Sequence, residues 1–336
     1  MAIMPFRGCA NLAMLTFMTE FDIPETMRAI SQDILGGPEV LHEIERPTPR
    51  PGPSEVLVRV HATGLNPTDW KHRAIAGMFL PEPPFVLGWD VSGEVVATGV
   101  GVTLFAPGDE VFGMLPYPYG HGAAAEYVTA TARTFARKPR NFTHIQAAAT
   151  PLAALTAWQA LVDTANLCAG QRVLVHAAAG GVGHFAVQIA KARGAYVLGT
   201  ASSPNHEFLR SLGADEVIDY RTTDVTATVT DIDVVVDPLG FDNARRSLRT
   251  LRPGGILVSL RPGGEDLGPL AAAAGVRAAA LLVEADHAGM SALAELAESG
   301  ALRPAIAATF PLADAAKAHA LGETGHTAGK LVLTVR

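Results

Sequence analysis

Three glycines, Gly180, Gly181 and Gly183, lie in the stretch QRVLVHAAAGGVGHFAVQIAKARGAYVLGTASS, which runs from Gln171 to Ser203. Glycines at this density let a backbone pass close to a pyrophosphate, and a helix that starts among them turns its free N–H groups toward the anion. Ahead of them Val173 to Val175 read as a short buried strand. Behind them Phe185, Ala186, Ile189 and Ala190 recur at helical spacing in a segment from Val182 to Arg193, which Gly194 closes. Strand, glycine turn, helix and second strand form the context that a dinucleotide site requires. The spacing is A-x-x-G-x-x-G, with Ala177 where the common fingerprint has glycine.

The residues after the second strand bear on which dinucleotide is held. An NAD site places Asp or Glu about twenty residues on, to hold the ribose 2′-hydroxyl. Here Thr200, Ala201, Ser202 and Ser203 occupy that place, with Asn205 and His206 behind them. Hydroxyls without a carboxylate suit a 2′-phosphate, so NADP(H) is expected, although no arginine stands there. The same two serines also read as the cap of a helix beginning near Pro204.

The elements that position these groups need a chain of some length. The 336 residues predict about two domains, each able to bury a core. Hydrophobic residues make up 49% and mean hydropathy is +0.22, yet alanine supplies much of this, and no run of about eighteen apolar residues predicts a membrane span. A net charge of −7 and the lack of a basic stripe argue against nucleic acid. Cys9 and Cys168 cannot build a disulfide framework, which points to a reducing cytoplasm. The N-terminus lacks the ordered regions of an export signal. Residues 1–26 read as an extension, with a fresh start at Met27.

From Val56 to His61 polar and apolar residues alternate as in a half-buried strand, and a helix is expected from Pro67, with Asp69 and Arg73 as a surface pair. Pro84 to Gly113 and Gly122 to Ala130 read as short strands of a small β-barrel or folded sheet. A helical stretch from Ile145 to Leu167 leads to the glycine turn. Strands at Glu216–Asp219, Asp231–Gly240, Pro253–Leu260 and Val276–Ala285 then alternate with helices, which predicts an α/β fold with a doubly wound parallel sheet. Two further helices and the strand KLVLTV have no place among six strands and are expected to complete the first domain. The predicted division is 27–148 and 149–285, with 286–336 returning to the first part.

The motifs GLNPTDWK, LGWDVSGEV, GDEVFG, GAAAEYV, PLAALTAWQAL, AAAGGVGHFAVQIAK, LGADEVIDY, LRPGGILVSL and GKLVL follow one another in this order. Together they resemble the medium-chain dehydrogenase/reductase superfamily, in its zinc-free quinone oxidoreductase (zeta-crystallin-like) branch. The resemblance implies a GroES-like catalytic domain, a Rossmann domain, NADPH and a homodimer. It carries Thr156 to the nicotinamide carboxamide, and Gly180, Gly181, Val182 and Gly183 to the pyrophosphate. Ser202, Ser203 and Tyr220 go to the 2′-phosphate, and Lys330 to the family's lysine near the C-terminus. The turn Pro238-Leu239 and Leu260 with Arg261, at strand ends, are expected to border the ribose and nicotinamide because ligands of open α/β sheets bind at the carboxyl ends of the strands. Ala328 stands where arginine is frequent.

Zinc relatives carry Gly-His-Glu where this chain has Gly88, Trp89 and Asp90, and the structural four-cysteine lobe is missing, so no metal is expected. His121, His176 and His184 read as surface or packing residues. Without a Lewis acid, reduction of a simple ketone loses its electrophile. Conjugate reduction of an enone, enal or quinone needs only positioned hydrogen-bond donors and a proton. The resemblance places Asn66 beside the nicotinamide and the substrate carbonyl, as a cofactor-binding and catalytic donor, and Lys71 against the nicotinamide ribose or the carbonyl; alternatively Asn66 caps a helix and Lys71 sits in solvent. Trp70 and Phe79 are candidates for the substrate wall or for plain core, and Tyr127 for structure. Rival functions are an enoyl-thioester reductase, with Arg245, Arg246, Arg249 and Arg252 as a carrier-docking face, and a non-catalytic NADPH-binding protein.

Overall fold

A computed structural model of the chain describes residues 22–76, 79, 82–261 and 266–336. The expected extension therefore lies almost wholly outside the described residues. The first part runs β1 (Thr26–Gln32), β2 (His42–Pro47), β3 (Glu55–Leu65), α1 (Pro67–Ala74), β4 (Phe85–Val86), β5 (Asp90–Thr98), β6 (Glu110–Met114), β7 (Tyr127–Thr131) and β8 (Phe135–Arg137). β3 is longer than its alternating stretch because three neighbours claim it: β5, β7 and the last strand of the chain all pair with it antiparallel. β7 is shorter than expected. The N–H groups of Gly122, Ala123 and Ala124 bond back to the Gly88 and Leu87 carbonyls instead of extending the ladder.

Helices α2 (His144–Ala148) and α3 (Pro151–Trp158) lead into the second part. There β9 (Arg172–Val175), α4 (Gly183–Ala192), β10 (Tyr196–Ala201), α5 (His206–Ser211), β11 (Glu216–Asp219), α6 (Val225–Thr228), β12 (Ile232–Asp237), α7 (Phe241–Ser247), β13 (Leu251–Ser259), α8 (Gly268–Ala273) and β14 (Arg277–Ala280) alternate. The sheet order is β11-β10-β9-β12-β13-β14, and every pairing is parallel. Strand order therefore reverses between β9 and β12, the crevice where open α/β sheets bind ligands.

The chain ends with α9 (His287–Glu298), β15 (Ile306–Pro311), α10 (Ala315–Glu323) and β16 (Lys330–Thr334). β16 pairs with β3 on one side and β15 on the other, so these elements enlarge the first sheet to seven strands. A continuous apolar core joins both parts, with Trp89, Phe112, Phe135 and Phe185 fully buried. Each large side chain so buried stabilises the fold by about 2–3 kcal/mol.

α1 corrects one expectation. Asp69 and Arg73 are not a surface pair, because α1 is sandwiched and both are buried. Arg73 instead donates to the Gly36 carbonyl at 3.0 Å and to Glu323 in α10.

Candidate active site

Where the two parts meet, Lys330 opens β16 with its side chain buried. Its ammonium donates to the Leu65 carbonyl at 2.8 Å, to Asn66 Oδ1, and to Asp90 Oδ2 at 3.4 Å. Asn66 Nδ2 donates to the same Asp90 oxygen at 2.9 Å, and the other Asp90 oxygen accepts from the Leu152 N–H at 2.7 Å. Burial pushes the Asp90 carboxyl up and the Lys330 ammonium down, while each charge favours the other. The amide of Asn66 is thus locked by partners on β5 and β16. It stands at the N-cap of α1 in a capping box with Asp69, whose carboxylate accepts from the Asn66 N–H at 2.7 Å. Asp90 is a structural anchor at this junction.

Lys330 is expected among the cofactor residues, and the structure engages all three of its ammonium hydrogens inside the protein. Its stem nevertheless lies over the glycine turn: a Cβ added to Gly181 would come within 3.4 Å of Lys330 Cδ. One side chain therefore spans from Asn66 to the expected pyrophosphate site.

The remainder of α1 forms a second cluster. Thr68 Oγ1 lies 3.2 Å from the Tyr117 hydroxyl and 3.0 Å from His72 Nδ1, and His72 Nδ1 donates to the Thr68 carbonyl at 2.8 Å. Trp89 meets Tyr117 edge-on at 5.4 Å between ring centroids and His72 at 5.3 Å, and Phe79 meets Tyr117 edge-on at 6.3 Å. Phe79 so belongs to an aromatic wall. Trp70 does not, because it faces α10, packing on Gly322 and His319. Tyr127 is core. Lys71 is half-buried, and burial together with the nearby Arg261 charge, from the end of β13, lowers its pKa. Asp69 is fully buried with Oδ1 unpartnered among the described residues, and burial, reinforced by Asp90, raises its carboxyl to about 7.

The glycine turn has the form a dinucleotide needs. Ala177 adopts φ +46°, the left-handed conformation for which the common fingerprint uses glycine. Thr200 steadies it, accepting from the Ala177 N–H at 3.1 Å. A Cβ on Gly183 would lie 2.4 Å from the Ala177 carbonyl oxygen, so only glycine lets α4 begin here. The N–H groups of Gly181 and Val182 lie ahead of the helix's first bond, from the His184 N–H to Gly180. His184 is a tether: Nδ1 bonds the Gly180 carbonyl at 2.9 Å and Nε2 accepts from the Ala305 N–H at 3.2 Å. His176 bonds Ser247 at 2.8 Å. His121 bonds the Val86 carbonyl at 2.6 Å.

At the ends of β10 and β11 the structure adds two residues that the linear reading missed. Asp219 accepts from the Ser203 hydroxyl and from its N–H at 3.2 Å, so a carboxylate does reach the serines, from the neighbouring strand. The Ser203 hydroxyl beside it holds its pKa below the usual carboxylate range. Arg221 comes next, its guanidinium 5.9 Å from the ring of the exposed Tyr220. Neither Ser202 nor Ser203 makes a capping bond through its side chain. On the other side of the crevice the turn at Pro238 and Leu239 is held by Asp237, which accepts from the Leu239 N–H at 2.9 Å, and Leu260 donates to the Asp237 carbonyl at 2.9 Å. Thr156 turns its hydroxyl back to the Leu152 carbonyl at 2.6 Å, within α3.

Two family models match the chain: an alcohol dehydrogenase GroES-like domain over residues 52–140 and a zinc-binding dehydrogenase domain over residues 212–333. The human mitochondrial NAD(P)H oxidoreductase RTN4IP1 is 35% identical over 331 residues, covering 84% of this chain and 82% of its own. The chain belongs to the quinone oxidoreductase branch of the medium-chain dehydrogenase/reductase family. Its fold is that of this branch. The quinone oxidoreductase of Coxiella burnetii superposes with TM-score 0.85 at 39% identity, over 93% of this chain and 100% of that one. The Escherichia coli quinone oxidoreductase, solved with NADPH, gives 0.82 at 30% identity, over 92% and 100%. Despite the second model's description, no group of three or more His, Cys, Asp or Glu among the described residues could hold a metal ion. The arginine face considered for carrier docking is partly engaged, Arg246 with Asp224 at 2.9 Å and Arg252 with Asp233.

Proposed function

We propose that this oxidoreductase uses NADPH to reduce a quinone or the activated C=C of an enone or enal, without a metal. The observation that carries the reading is the Asn66 amide, held by Lys330, whose stem lies over the glycine turn. With Oδ1 held by Lys330 and one Nδ2 hydrogen by Asp90, its second Nδ2 hydrogen is the one this reading assigns to a substrate carbonyl oxygen. A donor that is already oriented stabilises developing negative charge without reorganising. Gly181, Val182 and Gly183 would hold the pyrophosphate, and Ser202, Ser203, Tyr220 and Arg221 the 2′-phosphate. The bound cofactor supplies a hydride. Asp219 opposes the 2′-phosphate and Arg221 favours it, so the preference for NADPH over NADH is modest. Lys71, with a lowered pKa and Arg261 nearby, adds positive potential at the cleft.

The fold supports a homodimer through β14, which pairs only with β13 and leaves a second edge open among the described residues. An exposed free Cys168 suits a reducing compartment such as the cytoplasm. The test is NADPH oxidation at 340 nm against a panel of quinones, enones, alkenals, acyl-thioesters and simple ketones. Turnover of quinones and enones is expected. Turnover of simple ketones alone would overturn the reading.

A further inference from the structure

The reduction of an enone needs a proton as well as a hydride, and the donor has to stand near Asn66. Tyr117 meets that requirement by its surroundings. Its hydroxyl lies 3.2 Å from Thr68 Oγ1, and Thr68 is in the first turn of α1, which begins directly after Asn66. The ring is held edge-on between Trp89, at 5.4 Å, and Phe79, at 6.3 Å. Tyr117 is only half-buried, so water can restore a proton to it. Thr68 is held in turn by His72, whose Nδ1 lies 3.0 Å from the Thr68 hydroxyl and 2.8 Å from its carbonyl. No other tyrosine shares this arrangement among the described residues: Tyr196 bonds Glu216 at the far sheet edge, Tyr127 is core, and Tyr119 and Tyr220 are exposed.

We propose that Tyr117 is the proton donor of the reaction, with Thr68 and His72 as its positioning residues. The inference rests on the reading that an activated C=C or quinone is reduced. Hydride addition to the β-carbon of an enone leaves an electron pair shared between the α-carbon and the carbonyl oxygen. That pair takes the Tyr117 hydroxyl proton to form the α-carbon–hydrogen bond, and the phenolic O–H bond breaks. The tyrosinate accepts a hydrogen bond from the Thr68 hydroxyl and regains its proton from water. The substrate gains two hydrogens while one NADPH is oxidised. Burial, chiefly, and the charge of Asp69 raise the phenol's pKa, which keeps it protonated at neutral pH. His72 is kept neutral by its burial, with His121 and Lys71 adding to the effect, so it holds Thr68 without placing a charge beside the phenol.

The experiment compares Tyr117→Phe, Thr68→Val and Thr68→Ser with the unaltered protein, using Tyr196→Phe as a control for removal of a phenolic hydroxyl. Tyr117→Phe is expected to lower kcat for an enone roughly a hundredfold, the scale of a lost general acid, with little change in KM. The solvent deuterium isotope effect on kcat should change with it. Loss with a quinone should be smaller, since a hydroquinone can leave as the anion. Thr68→Val should lower kcat and Thr68→Ser restore most of it. In the cofactor-free protein, ultraviolet titration at alkaline pH should lose a late tyrosinate step in Tyr117→Phe. Unchanged enone kcat with only a raised KM would overturn the proposal by making Tyr117 a mere wall residue. So would a hundredfold loss with no change in the isotope effect. If the unaltered protein reduced neither enones nor quinones, the functional reading itself would fall, a result separate from any effect of Tyr117→Phe.

Discussion

The Lys330 ammonium bonds the Asn66 side-chain oxygen across 264 residues of chain. Through that contact the last strand fixes the residue proposed to meet the substrate.

Removing the ammonium leaves the Asp90 carboxylate buried with hydrogen bonds from Asn66 and Leu152 but without the opposite charge of Lys330. Lys330→Met should destabilise the protein by about 3–5 kcal/mol, the scale for breaking a buried pair from one side. The loss is read from urea unfolding. Adding Asp90→Asn should recover part of it, because no lone carboxylate then remains. A single variant as stable as the parent would show that the pair contributes nothing.

Asn66→Ala should lower turnover roughly ten- to a thousandfold, the range for one lost oxyanion donor, while NADPH affinity, measured by quenching of protein fluorescence, changes little. Full turnover with a lower melting temperature would leave Asn66 with only a structural part in the junction.

Asp219 sits beside the serines that are proposed to hold the 2′-phosphate. Asp219→Asn should raise the NADPH-to-NADH ratio of kcat/KM roughly threefold, a modest effect since the half-buried group sits at the surface and is screened by salt. Arg221→Ala should lower the same ratio. If both variants left the ratio unchanged, the 2′-phosphate would have to be read elsewhere.

Acid should destabilise the fold through its buried histidines. Burial holds His184 at about 4 and His319 at about 3, below the ordinary 6.5, with Arg73 adding to the shift of His319. The unfolded chain therefore binds protons first, and stability is full above 6.5 and lost as pH falls toward 4. Each costs on the order of 1 kcal/mol per pH unit within that window. Asp69, raised to about 7, acts in the opposite sense over the same range, since its folded form takes up a proton first. Melting curves from pH 7.5 to 5 should flatten in His319→Asn and steepen in Asp69→Asn.

The glycine turn and the alternation of strands and helices are legible in the sequence because both are local: periodicity and glycine spacing survive within some thirty residues. Asn66 and Lys330 are legible as family positions, but their contact is not, since it joins opposite ends of the chain. Asp219 escapes for a related reason. It lies 16 residues from Ser203 and meets it only because β10 and β11 pair in parallel register. Asp69 and Arg73 have the spacing of an exposed helical pair, and only the packing of α1 against α10 shows that both are enclosed. Tyr117 sits in a loop without periodicity, and its partner Thr68 is 49 residues away.

The pairing of Ala62 with Thr334 also sets a timetable for synthesis. A growing chain can complete the parallel sheet once residue 280 is free, but β3 waits for its neighbour β16 until residue 334 has emerged. During that interval a strand edge in the first part stands uncovered, which is when such surfaces find wrong partners. The part of the molecule that is translated first is therefore finished last.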